Sequence, residues 1–196
     1  MFSRDPSSRF TIRCLLILLQ LSVSLPLPAV DRPLPDITIC YNYNCNRTAH
    51  VRPAIGEWQA VLDQFKPAAR SAVEEREMIR RAIAVLEHIA GKQTPTFRDR
   101  GRNPIVDDWP GQMDCIDEST NTKRYLDLLQ ARGLLRWHRV ADRVSRAPHL
   151  FDQHWAGQII EVETLDHYVV DSWFLDNGNL PYIQALNNWL RKDPIQ

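Results

Sequence analysis

Three residues of suitable types follow one another along the chain in an order that suits a nucleophilic site. Cys115 stands at the end of a loop rich in proline and glycine and at the start of a helical pattern. A cysteine at a helix N-terminus faces free N–H groups and the positive end of the helix dipole, and both stabilise a thiolate. His154 and Asp171 fall on later strand-like segments. The pattern predicts Cys115 as nucleophile, His154 as base and Asp171 as the group that orients the base.

The remaining cysteines leave Cys115 without an evident partner. Cys14 lies in an apolar N-terminal run, and Cys40 and Cys45 stand five positions apart. In an oxidising compartment a short-range disulfide is the favoured interpretation of that pair. A metal pair is the weaker alternative, because no second pair of ligands stands at suitable spacing. An unpaired cysteine in an exported protein is either buried and inert or reactive.

Two other histidines compete with His154 for the role of base. His167 lies four positions before Asp171 on one predicted strand, about two pleats away, which is a poor geometry for an orienting contact. His149 is the other competitor. The apolar neighbours of Asp171 suggest partial burial, and a buried carboxylate needs a partner. We therefore pair Asp171 with His154, although a plain carboxylate at a strand end remains the alternative for Asp171.

Acyl transfer also needs hydrogen-bond donors for an oxyanion. The backbone N–H of Cys115 is one, and Gln112 and then Trp109 are the side-chain candidates. Asp114 and Asp117 flank Cys115 and are good capping residues for a helix start, so they are structural rather than catalytic candidates. Their negative charge would oppose thiolate formation slightly. This chemistry requires no cofactor and no metal.

The elements that must position these residues are helices first and strands afterwards. The apolar pattern predicts a short strand at 37–41, helices at 57–65 and 67–90, and a third helix at 115–133. A long loop at 92–114 precedes the third helix. Pro67 is predicted to open the second helix and Gly91 to end it, while Gly133 ends the third. Strands are predicted at 136–140, 156–162 and 167–173, followed by a last helix that Pro181 opens. This order predicts an α+β fold with N-terminal helices packed on an antiparallel sheet.

The N-terminus has the pattern of a secretory signal peptide. Three arginines precede an almost wholly apolar run that is short for a transmembrane helix. We divide the chain into a signal peptide or uncleaved anchor at 1–29, an N-terminal arm at 30–55 that holds Cys40 and Cys45, and a single catalytic domain at 56–196. The protein is expected to be exported, either periplasmic or secreted. Membrane contact is expected only through an uncleaved N-terminus.

Composition excludes some classes of partner. The 196 residues carry 24 basic and 24 acidic side chains, with a formal net charge of zero and no long run of one sign. A nucleic-acid partner is therefore not expected. The hydrophobic fraction of 44% fits a globular chain that can bury its own core.

Sequence motifs around these residues resemble the transglutaminase-like superfamily. The segment Gly-Gln-Met-Asp-Cys at 111–115 and the helix end Leu-Leu-Gln-Ala-Arg-Gly-Leu at 128–134 are similar to its cysteine helix. His154-Trp155 and Tyr-Val-Val-Asp at 168–171 are similar to its histidine and aspartate strands. The similarity covers roughly residues 109–174 and implies a papain-like core, with this chain as a bacterial exported member.

Three positions depart from the family pattern. Trp155 directly follows His154, where the family has an alanine between histidine and tryptophan. Met113 stands where the family prefers glycine, and Ser172 follows Asp171 in place of the common proline.

The resemblance implies thiol-dependent acyl transfer. The expected reaction is hydrolysis of a peptide, an isopeptide or a glutamine side-chain amide through a thioester on Cys115. The expected partner is a protein or peptide substrate, which could belong to the cell envelope. The alternative is a non-enzymatic binding or envelope-assembly module of the same fold, in which Cys115 only packs.

Overall fold

A computed structural model describes residues 33–103, 110–147 and 153–192. A hairpin and three α-helices come first, and a four-stranded antiparallel sheet follows. The strands are β1 (Ile37–Tyr41), β2 (Arg47–Val51), β3 (His138–Arg146), β4 (His154–Glu161), β5 (His167–Asp171) and β6 (Tyr182–Ala185). The α-helices are α1 (Ile55–Asp63), α2 (Ala72–Gln93), α3 (Cys115–Ala131) and α4 (Leu186–Leu190), and a 3-10 helix covers Pro95–Arg98. The described residues therefore form an α+β fold, the class that the sequence predicts.

The hairpin of β1 and β2 ends in a tight turn. The two strands pair antiparallel along their whole length, and Ile39 and Val51 point into the main core. Four consecutive residues of the turn, 42–45, have φ between 53° and 64°, the left-handed region that non-glycine residues rarely adopt. A disulfide joins Cys40 to Cys45 across this turn, which confirms the predicted pairing.

Helix α2 starts later and ends later than its sequence pattern predicts. Ser71 caps it by accepting a hydrogen bond from the Glu74 N–H, whereas Pro67, the predicted first residue, precedes the helix and offers no such acceptor. Gly91 lies inside the helix, not at its end. A Cβ at Gly91 would come within 3.2 Å of the Phe97 backbone, so this glycine permits close packing with the 3-10 helix.

Helix α3 packs its apolar face against the sheet. Its buried hydrophobic residues are Tyr125, Leu126 and Leu129. At Gly157 on β4 the helix approaches so closely that a Cβ would lie 2.7 Å from the Thr122 methyl carbon. Gly133 follows the helix with φ of 74°, which confirms the predicted glycine stop.

The sheet brings the start of one strand beside the end of the next. Its order is β3-β4-β5-β6, and every neighbouring pair is antiparallel. Because β4 and β5 run in opposite directions, the first residue of β4 and the last residue of β5 lie at the same end of the sheet. Those residues are His154 and Asp171.

The chain after β5 differs from the prediction of one helix opened by Pro181. Residues 182–185 form strand β6 and pair with β5, with Tyr182 opposite Asp171. Helix α4 then begins at Leu186. Hydrogen bonding to the open edge of β5 outweighs the helical spacing of the apolar residues in this segment.

Several sequence-based expectations concern residues outside the described part of the chain. They are the signal peptide or anchor at 1–29, the oxyanion candidate Trp109 and the competing histidine His149. Within the described ranges, the helices are all too short or too polar to cross a bilayer.

Candidate active site

The start of helix α3 places Cys115 at a half-buried position. Asp114 is the N-cap, and its Oδ1 accepts hydrogen bonds from the N–H groups of Ile116 at 3.0 Å and Asp117 at 2.8 Å. Among the described residues, the Cys115 N–H meets no acceptor. The Cys115 sulfur lies 3.8 Å from the Gln153 carbonyl oxygen. A thiol and an unused N–H therefore stand together at the positive end of a helix of 17 residues.

The predicted base and its orienting carboxylate are in direct contact. The His154 Nε2 and the Asp171 Oδ2 are 2.7 Å apart, and the two residues are 6% and 3% exposed. Because Nε2 faces the carboxylate, Nδ1 is the ring nitrogen left for the Cys115 thiol, which is near enough to His154 to raise the pKa of the imidazole. The structure therefore brings Cys115, His154 and Asp171 together in the predicted order.

Opposing effects determine the charge of His154. Burial lowers the pKa of the imidazole, but the hydrogen bonds to Asp171 and Cys115 outweigh burial and raise the pKa to about 9. The imidazolium form is thus favoured at neutral pH. A cation beside a thiol stabilises the thiolate.

Aromatic side chains enclose the His154 ring. Ring centroids lie 4.8 Å away for Trp173, 5.2 Å for Phe174 and 5.7 Å for Trp189. Trp173 and Phe174 lie two and three positions after Asp171 in the chain, so one short segment both supplies the carboxylate and covers the imidazole. This cover keeps water away from the contact between imidazole and carboxylate.

Trp189 is a site residue that the sequence analysis missed. It is 2% exposed, and its Nε1–H donates to the Asp171 Oδ2 at 2.9 Å. It therefore holds the same carboxylate oxygen that His154 contacts. No sequence motif marks it, because its position depends on the turn of the chain after β6.

Replacing Trp189 by phenylalanine is expected to lower kcat about threefold to tenfold and to leave KM unchanged, since one hydrogen bond that fixes Asp171 is lost while the ring is kept. Steady-state kinetics on the substrate class proposed below measure this. Trp137 offers a matched control, because its Nε1–H donates to the Ala69 carbonyl at 3.1 Å and Trp137→Phe should leave both constants unchanged. Equal losses in the two variants would contradict the assignment.

The other predicted site residues have different positions. The Gln112 side chain is buried, with its Nε2 donating to the Arg98 carbonyl at 2.6 Å and its Oε1 accepting from Asn103. These contacts fix the loop that precedes Cys115, and the role of Gln112 as an oxyanion donor stays a prediction. His167 is exposed at the opposite end of β5 from Asp171 and contacts Gln158.

One cluster of possible metal ligands lies near the site within the described residues. The sulfurs of Cys40 and Cys45 and a carboxylate oxygen of Asp117 lie within 4.8 Å of one another. The two sulfurs are bonded to each other, so they offer no thiolates and leave a single carboxylate. The weaker interpretation of the cysteine pair as metal ligands is therefore wrong.

Buried carboxyl groups lie beneath the start of α3. Glu118 is one turn after Cys115 and is 2% exposed, as is Asp99, while Glu87 is 4% exposed. Burial raises the pKa of Glu87 to about 7 and that of Asp99 to about 8, and it raises the pKa of Glu118 well above its ordinary value. Glu118 is hydrogen-bonded to Asp99. Because Asp99 and Glu118 are mostly protonated at neutral pH, they place little negative charge against a Cys115 thiolate.

These raised pKa values are expected to make the protein less stable as pH rises. The unfolded chain releases the Glu118 proton near pH 4.5, but the folded protein holds it at higher pH. The contribution of Glu118 to stability is therefore complete below that pH and decreases as the pH rises. Glu118→Gln keeps the shape of the side chain and a hydrogen-bond donor, but the amide cannot lose a proton in this pH range. Melting temperatures at pH 5 and pH 8 should differ less for this variant than for the wild type. The exposed Glu77→Gln is the control, and an unchanged difference in Glu118→Gln would refute the expectation.

No protein-family model, curated protein or solved structure matches the chain.

Proposed function

We propose that the chain is a cysteine-dependent acyl-transfer enzyme with a papain-like, transglutaminase-like core, and that hydrolysis is its main reaction. The observation that supports this most strongly is the His154 imidazole, which contacts Asp171 at 2.7 Å and stands next to Cys115, whose sulfur lies 3.8 Å from the carbonyl oxygen of the preceding residue, Gln153. A packing cysteine needs no such partner, whereas a nucleophile does.

The proposed reaction proceeds in two steps. The Cys115 thiolate attacks the substrate carbonyl carbon, and the negative charge on the carbonyl oxygen is stabilised by the Cys115 N–H. The His154 imidazolium gives its proton to the leaving nitrogen, so an amine or ammonia departs and a thioester forms. Neutral His154 then takes a proton from water, which attacks the thioester and restores the thiolate with release of a carboxylic acid. Asp171 orients the ring throughout.

Protein or peptide substrates fit this chemistry best, with a peptide, an isopeptide or a glutamine amide as the bond that is cleaved. Water is the acceptor that we favour over a second amine, because water is far more abundant in a dilute exported setting. The Cys40–Cys45 disulfide supports an oxidising location such as the periplasm or the cell exterior. Substrates of the cell envelope would be accessible there.

Trapping of the thioester tests the proposal. The full-length protein is incubated with a library of glutamine-containing peptides, with and without hydroxylamine, which converts a thioester to a hydroxamate. Mass spectrometry should find hydroxamates in the presence of hydroxylamine and the matching carboxylic acids in its absence. New N-termini would identify peptide-bond cleavage, and released ammonia would identify amide hydrolysis. Absence of all these products, or their persistence in Cys115→Ala, would favour the non-enzymatic binding module instead.

A further inference from the structure

The bridged turn at 42–45 lies against the first turn of helix α3. The Asn44 N–H donates to the Asp114 Oδ2 at 2.9 Å, and the Cys45 N–H donates to the Asp117 Oδ1 at 2.6 Å. Asp114 is the N-cap of the helix and Asp117 completes its capping box. Both carboxylates that flank Cys115 in sequence are therefore held by backbone groups of the turn.

The same turn also holds the segment before Cys115. The Asn42 N–H donates to the Gln112 carbonyl at 2.8 Å, and the Asn42 Oδ1 accepts from the Gly111 N–H at 2.7 Å. At the base of the turn, Cys40 exchanges two backbone hydrogen bonds with the Asn121 side chain, at 2.7 and 2.8 Å. The turn thus contacts α3 and its entry loop on both sides of the nucleophile.

The backbone of the turn is unfavourable without its covalent closure. Four consecutive residues without glycine have positive φ. Asparagine tolerates this conformation, but Tyr43 and Cys45 are disfavoured in it because the Cβ approaches the following carbonyl. A chain in this conformation has no regular ladder to support it. The bridge from Cys40 to Cys45 and the hydrogen bonds to α3 are what maintain it.

We propose that the Cys40–Cys45 disulfide controls the Cys115 site: the bridged turn keeps the site competent, and reduction of the bridge switches it off. This rests on the proposed function of Cys115. Reduction by a cellular dithiol would transfer two electrons and two protons to the bridge, giving two thiols and leaving the reductant as a disulfide. The protein would then be inactive before export and active after it.

Loss of the turn acts on the site through Asp114 and Asp117. Without the N–H donors of the turn, the capping box of Asp114 and Asp117 that fixes the first turn of α3 loosens. A loosened first turn moves the Cys115 sulfur away from His154 and from the positive end of the helix dipole, which disfavours the thiolate. Cys115 itself stays chemically unchanged.

The test measures alkylation of Cys115 by iodoacetamide at pH 6 in the full chain, quantified on the peptide that contains Cys115. The samples are oxidised wild type, wild type reduced with dithiothreitol, and Cys40→Ser/Cys45→Ser. The rate is expected to fall about tenfold in the reduced and double-serine forms. Asp36→Asn is the matched control, because it removes an exposed ion pair with Arg52 at the other end of the same hairpin and should leave the rate unchanged.

A second variant separates the effect from a failure to fold. Asn42→Gly keeps the backbone conformation, which glycine adopts readily, and removes only the acceptor for the Gly111 N–H, so a loss of about threefold is expected. One outcome would overturn this inference alone: oxidised wild type is alkylated at Cys115 at pH 6, and Asn42→Gly and a folded Cys40→Ser/Cys45→Ser variant are alkylated at the same rate. Oxidised wild type that is unreactive at pH 6 would overturn the proposed function, and this inference with it.

Discussion

Cys115→Ala is expected to abolish product formation, with a fall in kcat/KM of about a thousandfold or more. Alanine cannot form the thioester, and the other members of the site cannot replace the missing nucleophile. The fold should persist, since Cys115 is half-buried at a helix start and α3 is held by Asp114 and by its apolar face. Product release from the peptide library described above measures the effect.

Thermal unfolding of the same variant is the necessary control. A melting temperature within a few degrees of wild type shows that lost activity reflects lost chemistry. A folded Cys115→Ala that retains a tenth of the wild-type rate would place the nucleophile elsewhere. The bridged cysteines cannot supply it while their disulfide is intact.

His154→Ala is expected to lower the turnover rate by a factor of about a hundred to ten thousand, the usual range for loss of a general acid and base. The matched control is His167→Ala, because His167 is exposed at the far end of β5 and should leave the rate within about twofold of wild type. Comparable losses in both variants would contradict the assignment. Asp171→Asn should lower the rate less than Cys115→Ala, since Asp171 orients and does not attack.

The pH dependence follows from the same imidazole. The pKa of His154 is raised to about 9, above its ordinary value of 6.5. Its charged contacts therefore stabilise the folded protein fully below about pH 6.5, and this contribution is lost as pH rises through about 9. Activity should decline over the same upper range, because the leaving group then receives no proton from His154.

The positions of Cys115 at a helix start and of His154 beside Asp171 could be predicted because each depends on a local signal. The glycine- and proline-rich loop before Cys115, the helical pattern after it and the apolar strand segments around His154 and Asp171 are all visible in the sequence. An antiparallel pair of consecutive strands then brings the start of one beside the end of the next. These local patterns and the short connection between β4 and β5 were sufficient to predict that His154 and Asp171 lie close together.

The supporting residues could not be predicted because their contacts depend on distant pairing. Trp189 reaches Asp171 only because residues 182–185 join the sheet, whereas their apolar spacing resembles a helix. The turn at 42–45 meets α3 across about 70 residues of chain. The start of β3 is similarly set by Glu75, a buried α2 carboxylate that accepts backbone hydrogen bonds from Arg136, Trp137 and His138.

The pH profile of Cys115 alkylation, measured from pH 5 to pH 10 in wild type and His154→Ala, tests the central claim most directly. An ordinary thiol with a pKa of about 8.5 is mostly protonated at pH 6. We expect wild-type Cys115 to react rapidly at pH 6 and the His154→Ala variant to react appreciably only above pH 8, because the imidazolium that stabilises the thiolate is gone. Wild-type protein that reacts only above pH 8, with a profile that His154→Ala leaves unchanged, would contradict the account.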